Sequence, residues 1–312
     1  MTEISKLRME RAYSRIRKYA QRTPLLKGTF LDDLWQAEVY VKCEQFQPVG
    51  AFKIRGAANF ALQLSEEDRK RGLLTHSSGN HAQAVAYMAH KMGITATVVM
   101  PTNSSNTKKE GAKKWGAEII ECEPTIEARI TTVNKVRQEK GGVIIPPFDH
   151  EWIIEGQGTC AMEIIAEIPN IEVVAAPLGG GGLLSGTAVA SEYFGREIDV
   201  IGCEPEKAAD GYEGKRTGKR IEKYTPNTVA DGLRTTVGEV PFPLIKEKVK
   251  DIWLAREEDI LPWMYRVWKE MKVIIEPSSA VVLAAMDSNK EAIKGKKVAL
   301  IITGGNVDID KV

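Results

Sequence analysis

The apolar positions of the chain follow two periods in turn. Residues 73–75, 94–100, 118–122, 142–145, 173–178, 199–203 and 298–303 are short apolar runs and read as strands. Residues 81–92, 105–115, 126–140, 154–168, 183–194, 257–271 and 278–286 carry their apolar side chains at helical spacing. An amphipathic helix opens the chain, Thr23-Pro24 ends it, and 38–42 alternates in strand fashion. A turn at Gln47-Pro48-Val49-Gly50 leads into a helix reaching about Leu64. This alternation predicts an α/β fold: two domains with open, mostly parallel twisted sheets flanked by helices, of unequal size, with the site in the cleft between them. Pro146-Pro147-Phe148 reads as a boundary, and the stretch up to about Arg234 as loop-rich.

Composition narrows the function classes. A length of 312 residues suits one large or two ordinary domains. A net charge of +1 gives no electrostatic case for nucleic acid as a partner. No apolar segment approaches the roughly 20 residues that span a bilayer, and the charged N-terminal stretch lacks the apolar centre of a signal peptide, so no membrane is expected. Cys43, Cys122, Cys160 and Cys203 form no C-x-x-C pair. They read as buried thiols of a cytoplasmic protein rather than a zinc site or disulfide framework.

The densest chemical signal is Gly179-Gly180-Gly181-Gly182-Leu183-Leu184-Ser185-Gly186, between an apolar strand and a helix. Free N–H groups in such a loop, with the helix N-terminus behind them, hold an anion, and a phosphate is the natural ligand. A tight turn would need only one or two glycines. The spacing fits neither a dinucleotide fingerprint nor a P-loop.

Four other loops carry chemistry. Phe52-Lys53-Ile54-Arg55 puts a lysine in an apolar setting at a helix start, which lowers an amine pKa as a nucleophile requires; an ordinary solvated lysine is the competing reading. Ser77-Ser78-Gly79-Asn80-His81 opens a helix and can hold a carboxylate, although either serine could be a plain N-cap. Thr303-Gly304-Gly305-Asn306 sets a hydroxyl at a strand end beside two glycines, as close approach to a ligand or a plain turn would. Glu204, Ala208 and Asp210 offer two carboxylates near a carbonyl for a hard cation, or an acidic surface loop.

Together these pieces resemble the pyridoxal-phosphate enzymes of the tryptophan-synthase-β fold type (fold type II), nearest the serine/threonine dehydratase and serine racemase family. The ordered set FKIRGA, SSGNHAQA, GQGT, GGGGLLSG and TGGNVD carries the resemblance, which covers nearly the whole chain. It implies pyridoxal 5′-phosphate as cofactor in the interdomain cleft, a homodimer, a large discontinuous domain of residues 1–69 and 149–312, and a small domain of residues 70–148. It implies Lys53 as the Schiff-base lysine, Phe52 on the ring face, and Asn80 at the ring hydroxyl. Gly179, Gly180, Gly181, Gly182 and Leu183 become the phosphate cup, and Thr303 the partner of the pyridine nitrogen. Ser77, Ser78, Gly79, Asn80 and His81 become the loop for the substrate carboxylate.

The implied reaction is loss of water and then ammonia from a β-hydroxy amino acid, L-threonine or L-serine, giving a keto acid. Lys53 removes the Cα proton and the ring takes up the electrons. A hydroxyl at the pyridine nitrogen implies an unprotonated ring, which favours expelling the β-substituent. Ser78 resembles the racemase hydroxyl on the face opposite the lysine. Glu204, the Ala208 carbonyl and Asp210 resemble that branch's divalent-metal loop (Mg²⁺, Ca²⁺ or Mn²⁺). Arg129 matches an arginine that meets a distal substrate carboxylate, as in L-threo-3-hydroxyaspartate, or is a solvated helix residue. Phe148 instead resembles threonine dehydratases and suits a substrate methyl. A β-replacement enzyme and a non-catalytic phosphate-ligand-binding protein are the rival readings.

Overall fold

The computed structural model describes residues 4–77, 79–104 and 106–309. Among them ten strands form two sheets: β1 (Leu25–Lys27), β2 (Glu38–Cys43), β3 (Leu73–His76), β4 (Ala96–Pro101), β5 (Glu118–Cys122), β6 (Val143–Ile144), β7 (Val173–Pro177), β8 (Asp199–Pro205), β9 (Asp251–Ala255) and β10 (Lys297–Ile302). The larger sheet runs β1-β2-β10-β7-β8-β9, with β1 antiparallel to β2 and every other pair parallel. The smaller sheet, β5-β4-β3-β6, is parallel throughout.

A parallel sheet must be covered on both faces, and the period-2 pattern of each strand supplies both cores. In β10, Val298, Leu300 and Ile302 join one core with Val39 and Val41 of β2 and the helix Pro277–Ser288. Ala299 and Ile301 join the other, with Ile164 and Leu184 from the helices Glu151–Glu167 and Gly182–Phe194. In the smaller sheet, Leu73 and Val98 pack with Val85 and Met88 of the helix Asn80–Met92. Leu74 and Val99 pack with Val133 and Val136 of the helix Ile126–Lys140.

Three helices lock the site's parts together through glycine. A Cβ at Gly186 would lie 2.5 Å from the Ile154 carbonyl oxygen, and one at Gly158 would lie 2.6 Å from that of Gly186. A Cβ at Gly156 would meet the Arg55 carbonyl at 2.5 Å. The GQGT stretch is therefore the face on which the helices Lys53–Ala61 and Gly182–Phe194 both rest. Beside it, Arg55 bridges Glu44 (2.7 Å) and Glu163 (2.8 Å), and Lys42 joins Glu163 at 2.7 Å, all four residues buried.

Several elements differ from the periodicity. The helix expected at 154–168 starts at Glu151, because His150 Nδ1 accepts the Trp152 N–H at 3.0 Å and caps it. Of the helix expected at 105–115, Ser105 lies outside the described residues and the helix ends at Lys113 rather than Trp115, and the one reaching Leu64 ends at Ala61. The loop-rich stretch contains the helix Asp210–Thr217, whose two glycines and single apolar residue make no stripe. β1 has only three residues, too few for a period, while β9 and the helix Pro241–Lys248 go beyond the elements the periodicity predicted.

Candidate active site

The cleft between the two sheets holds a cavity of about 440 Å³, lined by Phe52, Lys53, Gly79, Asn80, Arg129, the 179–183 loop, residues 231–239, Glu276 and Thr303. Open α/β sheets gather ligands at the C-terminal ends of their strands because the loops there converge. Here the loops after β3, β7 and β10 do so.

Lys53 is the first residue of its helix, and its Nζ donates to the Pro147 carbonyl at 2.8 Å. Burial pulls its pKa from 10.5 down to about 8, opposed by the charge of Glu276. Nζ lies 5.1 Å from the centroid of the Phe52 ring. Phe52 is buried in the core between the larger sheet and its helices.

The glycine loop leads from β7 into the helix Gly182–Phe194, whose first N–H groups have no intrahelical acceptor. Gly181 has φ +89°, and a Cβ there would lie 2.8 Å from Pro241 Cβ. A side chain at Gly180 would overlap the Phe148 ring. So the run is demanded by backbone conformation and neighbours as well as by any anion.

Asn80 sits in a polar chain. Its Nδ2 donates to Glu276 Oε1 at 2.8 Å, and its Oδ1 accepts from Asn306 Nδ2 at 2.8 Å. Thr303 is buried, with Oγ1 at 2.9 Å from Ser279 Oγ. Ser77 and Gly79 are on the cavity wall, while Ser78 lies outside the described residues. His81 is buried, with Nε2 3.0 Å from the Ile145 carbonyl; burial pushes its pKa down to about 3, so the ring is neutral and donates there. Arg129 is half-buried on the cavity wall. Its Nε has no hydrogen-bond partner among the described residues, and burial lowers its pKa.

Glu204 and Asp210 lie off the cavity and are buried. Glu204 accepts the N–H groups of Gly211 (3.0 Å) and Tyr212 (2.7 Å), and Asp210 that of Val237 (2.8 Å). Burial raises both pKa values, that of Asp210 to about 6, and the charge of Asp210 adds to the rise at Glu204. Two buried carboxylates of raised pKa suit a hard cation, with the Ala208 carbonyl nearby in sequence. Among the described residues, no group of three His, Cys, Asp or Glu side chains gathers to hold an ion.

Sequence reasoning missed Glu276, Ser279, the Pro147 carbonyl and the 231–239 wall. No motif marks Glu276; its chain neighbours Pro277 and Ser278 read only as a helix start.

Residues 16–304 match the family described as pyridoxal-phosphate dependent enzyme. The chain belongs to that family. Its cofactor is pyridoxal 5′-phosphate, and its fold is fold type II. The chain is 41% identical to the beta-hydroxyaspartate dehydratase of Paracoccus denitrificans, over 96% of this chain and 95% of that one. The crystal structure of serine racemase from Dictyostelium discoideum superposes with a TM-score of 0.92 at 40% identity, over 98% and 99% of the two chains. The crystal structure of a threonine deaminase from T.th. gives 0.92 at 37% identity, over 98% and 99%. These relatives place the chain among the pyridoxal-phosphate-dependent lyases and racemases of amino-acid metabolism. No helix among the described residues is long and apolar enough to cross a membrane. The donors of the cleft fit the cofactor chemically: a helix N-terminus for its phosphate, a buried amine of lowered pKa for its aldehyde, and an uncharged hydroxyl pair for its ring nitrogen.

Proposed function

We propose that the protein is an ammonia-lyase for a β-hydroxy amino acid bearing a second carboxylate, of the 3-hydroxyaspartate type. Arg129 carries this reading. It is a guanidinium on the cavity wall, half-buried, paired with no carboxylate among the described residues. A buried cation costs free energy unless an anion meets it, and a carboxylate meets a guanidinium through two parallel hydrogen bonds. The beta-hydroxyaspartate dehydratase relative supports the same substrate class.

The cofactor, when bound, supplies the electron sink for the Cα carbanion. The chain's own residues do the rest. Residues 179–183 hold the phosphate, Asn80 the ring hydroxyl and Thr303 the ring nitrogen, with Phe52 on the ring face. Lys53, uncharged near neutral pH at modest cost because of burial, takes the Cα proton. Ser77, Gly79 and neutral His81 belong to the loop that holds the substrate's α-carboxylate; Ser78, the residue that the racemase resemblance marks as a hydroxyl for the opposite face, lies outside the described residues. The two sheets are the cores of a large domain (1–69 and 149–312) and a small domain (70–148) that close on the cleft. Glu204, Ala208 and Asp210 hold a divalent cation. Four free, buried cysteines suit a reducing cytoplasm.

A second reading, dehydration of L-threonine or L-serine, is favoured by Phe148, whose ring lies against Gly180 on the cavity wall. Keto-acid release from the three substrates decides between them, with Arg129→Met as the variant. The expected result is a preference for L-threo-3-hydroxyaspartate. Arg129→Met should lower kcat/KM for that substrate by roughly 100-fold, as loss of a charge-assisted pair costs about 2–3 kcal/mol, and leave threonine nearly unchanged. Preference for threonine with an indifferent variant would sink the dicarboxylate reading.

A further inference from the structure

Ser279 and Thr303 form a hydroxyl pair beside the cleft that can present either a donor or an acceptor. Ser279 is fully buried near the start of the helix Pro277–Ser288. Its Oγ lies 2.9 Å from Thr303 Oγ1, 2.8 Å from the carbonyl oxygen of Gly304 and 2.9 Å from the amide nitrogen of Gly304. A serine hydroxyl has one proton and two acceptor positions. The Gly304 N–H occupies one acceptor position. The single proton then has two places to go.

If Ser279 donates to the Gly304 carbonyl, Thr303 must donate to Ser279, and only lone pairs of Thr303 face the cavity. If Ser279 donates to Thr303, the Thr303 proton is released toward the cavity. The Gly304 carbonyl is not orphaned by that change, because it also accepts the Glu276 N–H at 3.1 Å. Neither arrangement leaves a buried group unpaired once a ligand stands before Thr303, so the pair can switch without the penalty of a lost buried hydrogen bond.

We infer that Ser279 is a positioning residue that sets the protonation state of the cofactor's ring nitrogen. By giving its proton to Thr303 it makes Thr303 the donor, and a ring nitrogen that accepts a hydrogen bond carries no proton. Both hydroxyls are neutral, so no negative charge in the pair draws a proton onto the ring. The inference rests on the proposed place of Thr303 at that nitrogen. Without Ser279, Thr303 keeps its hydroxyl but loses the partner that holds it as a donor.

The test is ¹⁵N NMR of holoenzyme reconstituted with cofactor labelled at the ring nitrogen, for the wild type, Ser279→Ala and Thr303→Val. Free cofactor in its protonated and unprotonated forms supplies the two reference positions. The wild-type resonance is expected at the unprotonated end. Ser279→Ala should move it toward the protonated end by more than half the interval. Solvent deuterium should also enter Cα of recovered substrate several-fold more often per keto acid released. If Ser279→Ala leaves the resonance in place while Thr303→Val moves it, the role of Ser279 is overturned and Thr303 keeps its place. If neither variant moves it, Thr303 is not at the ring nitrogen and both ideas fall. Should Ser279→Ala fail to retain cofactor, Ser279→Cys, whose thiol is a weak donor, is read by the same two criteria.

Discussion

The amide of Phe52 donates to the carbonyl of Thr303 at 2.9 Å, which ties the residue before Lys53 to the residue after β10. The Gly305 amide donates to the Gly50 carbonyl at 3.0 Å, and Ala51 bridges Gly304. The backbone that carries the buried amine and the backbone that carries the buried hydroxyl are thus one unit. Their side chains reach the cavity with a spacing set by main-chain hydrogen bonds rather than by flexible loops. Preorganisation of this kind removes the cost of arranging catalytic groups at the moment of reaction.

The buried amine should show itself in the pH dependence of the cofactor-free protein. Lys53 has a folded pKa of about 8 against an ordinary 10.5. Between those values the unfolded chain binds more protons than the folded one, so stability rises with pH across that window. The full difference is about 3 kcal/mol, at roughly 1.4 kcal/mol for each pH unit of that window. Lys53→Met should be more stable than wild type at pH 7 and should lose this part of the slope. Urea midpoints of both proteins at pH 7 and pH 10 check it; equal slopes would assign the effect elsewhere. In the holoenzyme, Lys53→Ala should abolish turnover, and borohydride should label Lys53 in wild type only.

Close helix packing should make one glycine intolerant and another indifferent. Ala in place of Gly inside a helix normally gains up to about 1 kcal/mol. At Gly186 the added Cβ would lie 2.5 Å from the Ile154 carbonyl oxygen and 2.6 Å from the Gly158 nitrogen, both backbone. Gly186→Ala should therefore destabilise by about 1–3 kcal/mol or more and, if the glycine loop holds the cofactor phosphate as proposed, weaken cofactor binding, since it pushes the helix Gly182–Phe194 off its neighbour. At Gly111 the Cβ would meet the end of the Gln83 side chain, which can swing away. Gly111→Ala should be near neutral. Thermal melts and a cofactor titration of the two variants separate these outcomes.

The buried carboxylate pair should respond to divalent cations. Glu204 and Asp210 are held uncharged more readily than ordinary acids, by burial first, with the charge of Asp210 adding to the rise at Glu204 and that of Glu213 to the rise at Asp210. A bound Mg²⁺ or Mn²⁺ should raise Tm at pH 7.5, and a chelator should lower it. Asp210→Asn should abolish the response. A melting curve that ignores both metal and chelator would return this pair to a purely structural role as backbone caps.

The cluster of Arg55, Glu44, Glu163 and Lys42 should be costly to break at one member. Arg55→Met leaves Glu44 without a direct ion-pair partner and Glu163 with Lys42 alone, in a site with almost no solvent. Removal of one partner from a buried pair costs about 3–5 kcal/mol. Urea unfolding should show a loss of that order, far beyond the effect of deleting an exposed pair such as Lys70–Glu66.

The periodicity of the chain sufficed for the two mostly parallel sheets, because burial on both faces writes itself into β7 and β10 as continuous apolar runs. The glycine loop and the lysine at a helix start were equally legible, since each is a local feature of adjacent residues. β1 and the helix Asp210–Thr217 were not, because a three-residue or glycine-interrupted segment carries no period. Which polar groups meet was decided only by the tertiary structure. Strand order β2-β10-β7 brings Thr303 beside Phe52, and the helix Pro277–Ser288 packs its Ser279 onto that same strand end. Asn80, Glu276 and Asn306 become one hydrogen-bonded chain for the same reason. Hydrophobic period is a property of neighbours along the chain, whereas hydrogen-bond partnership belongs to neighbours in space.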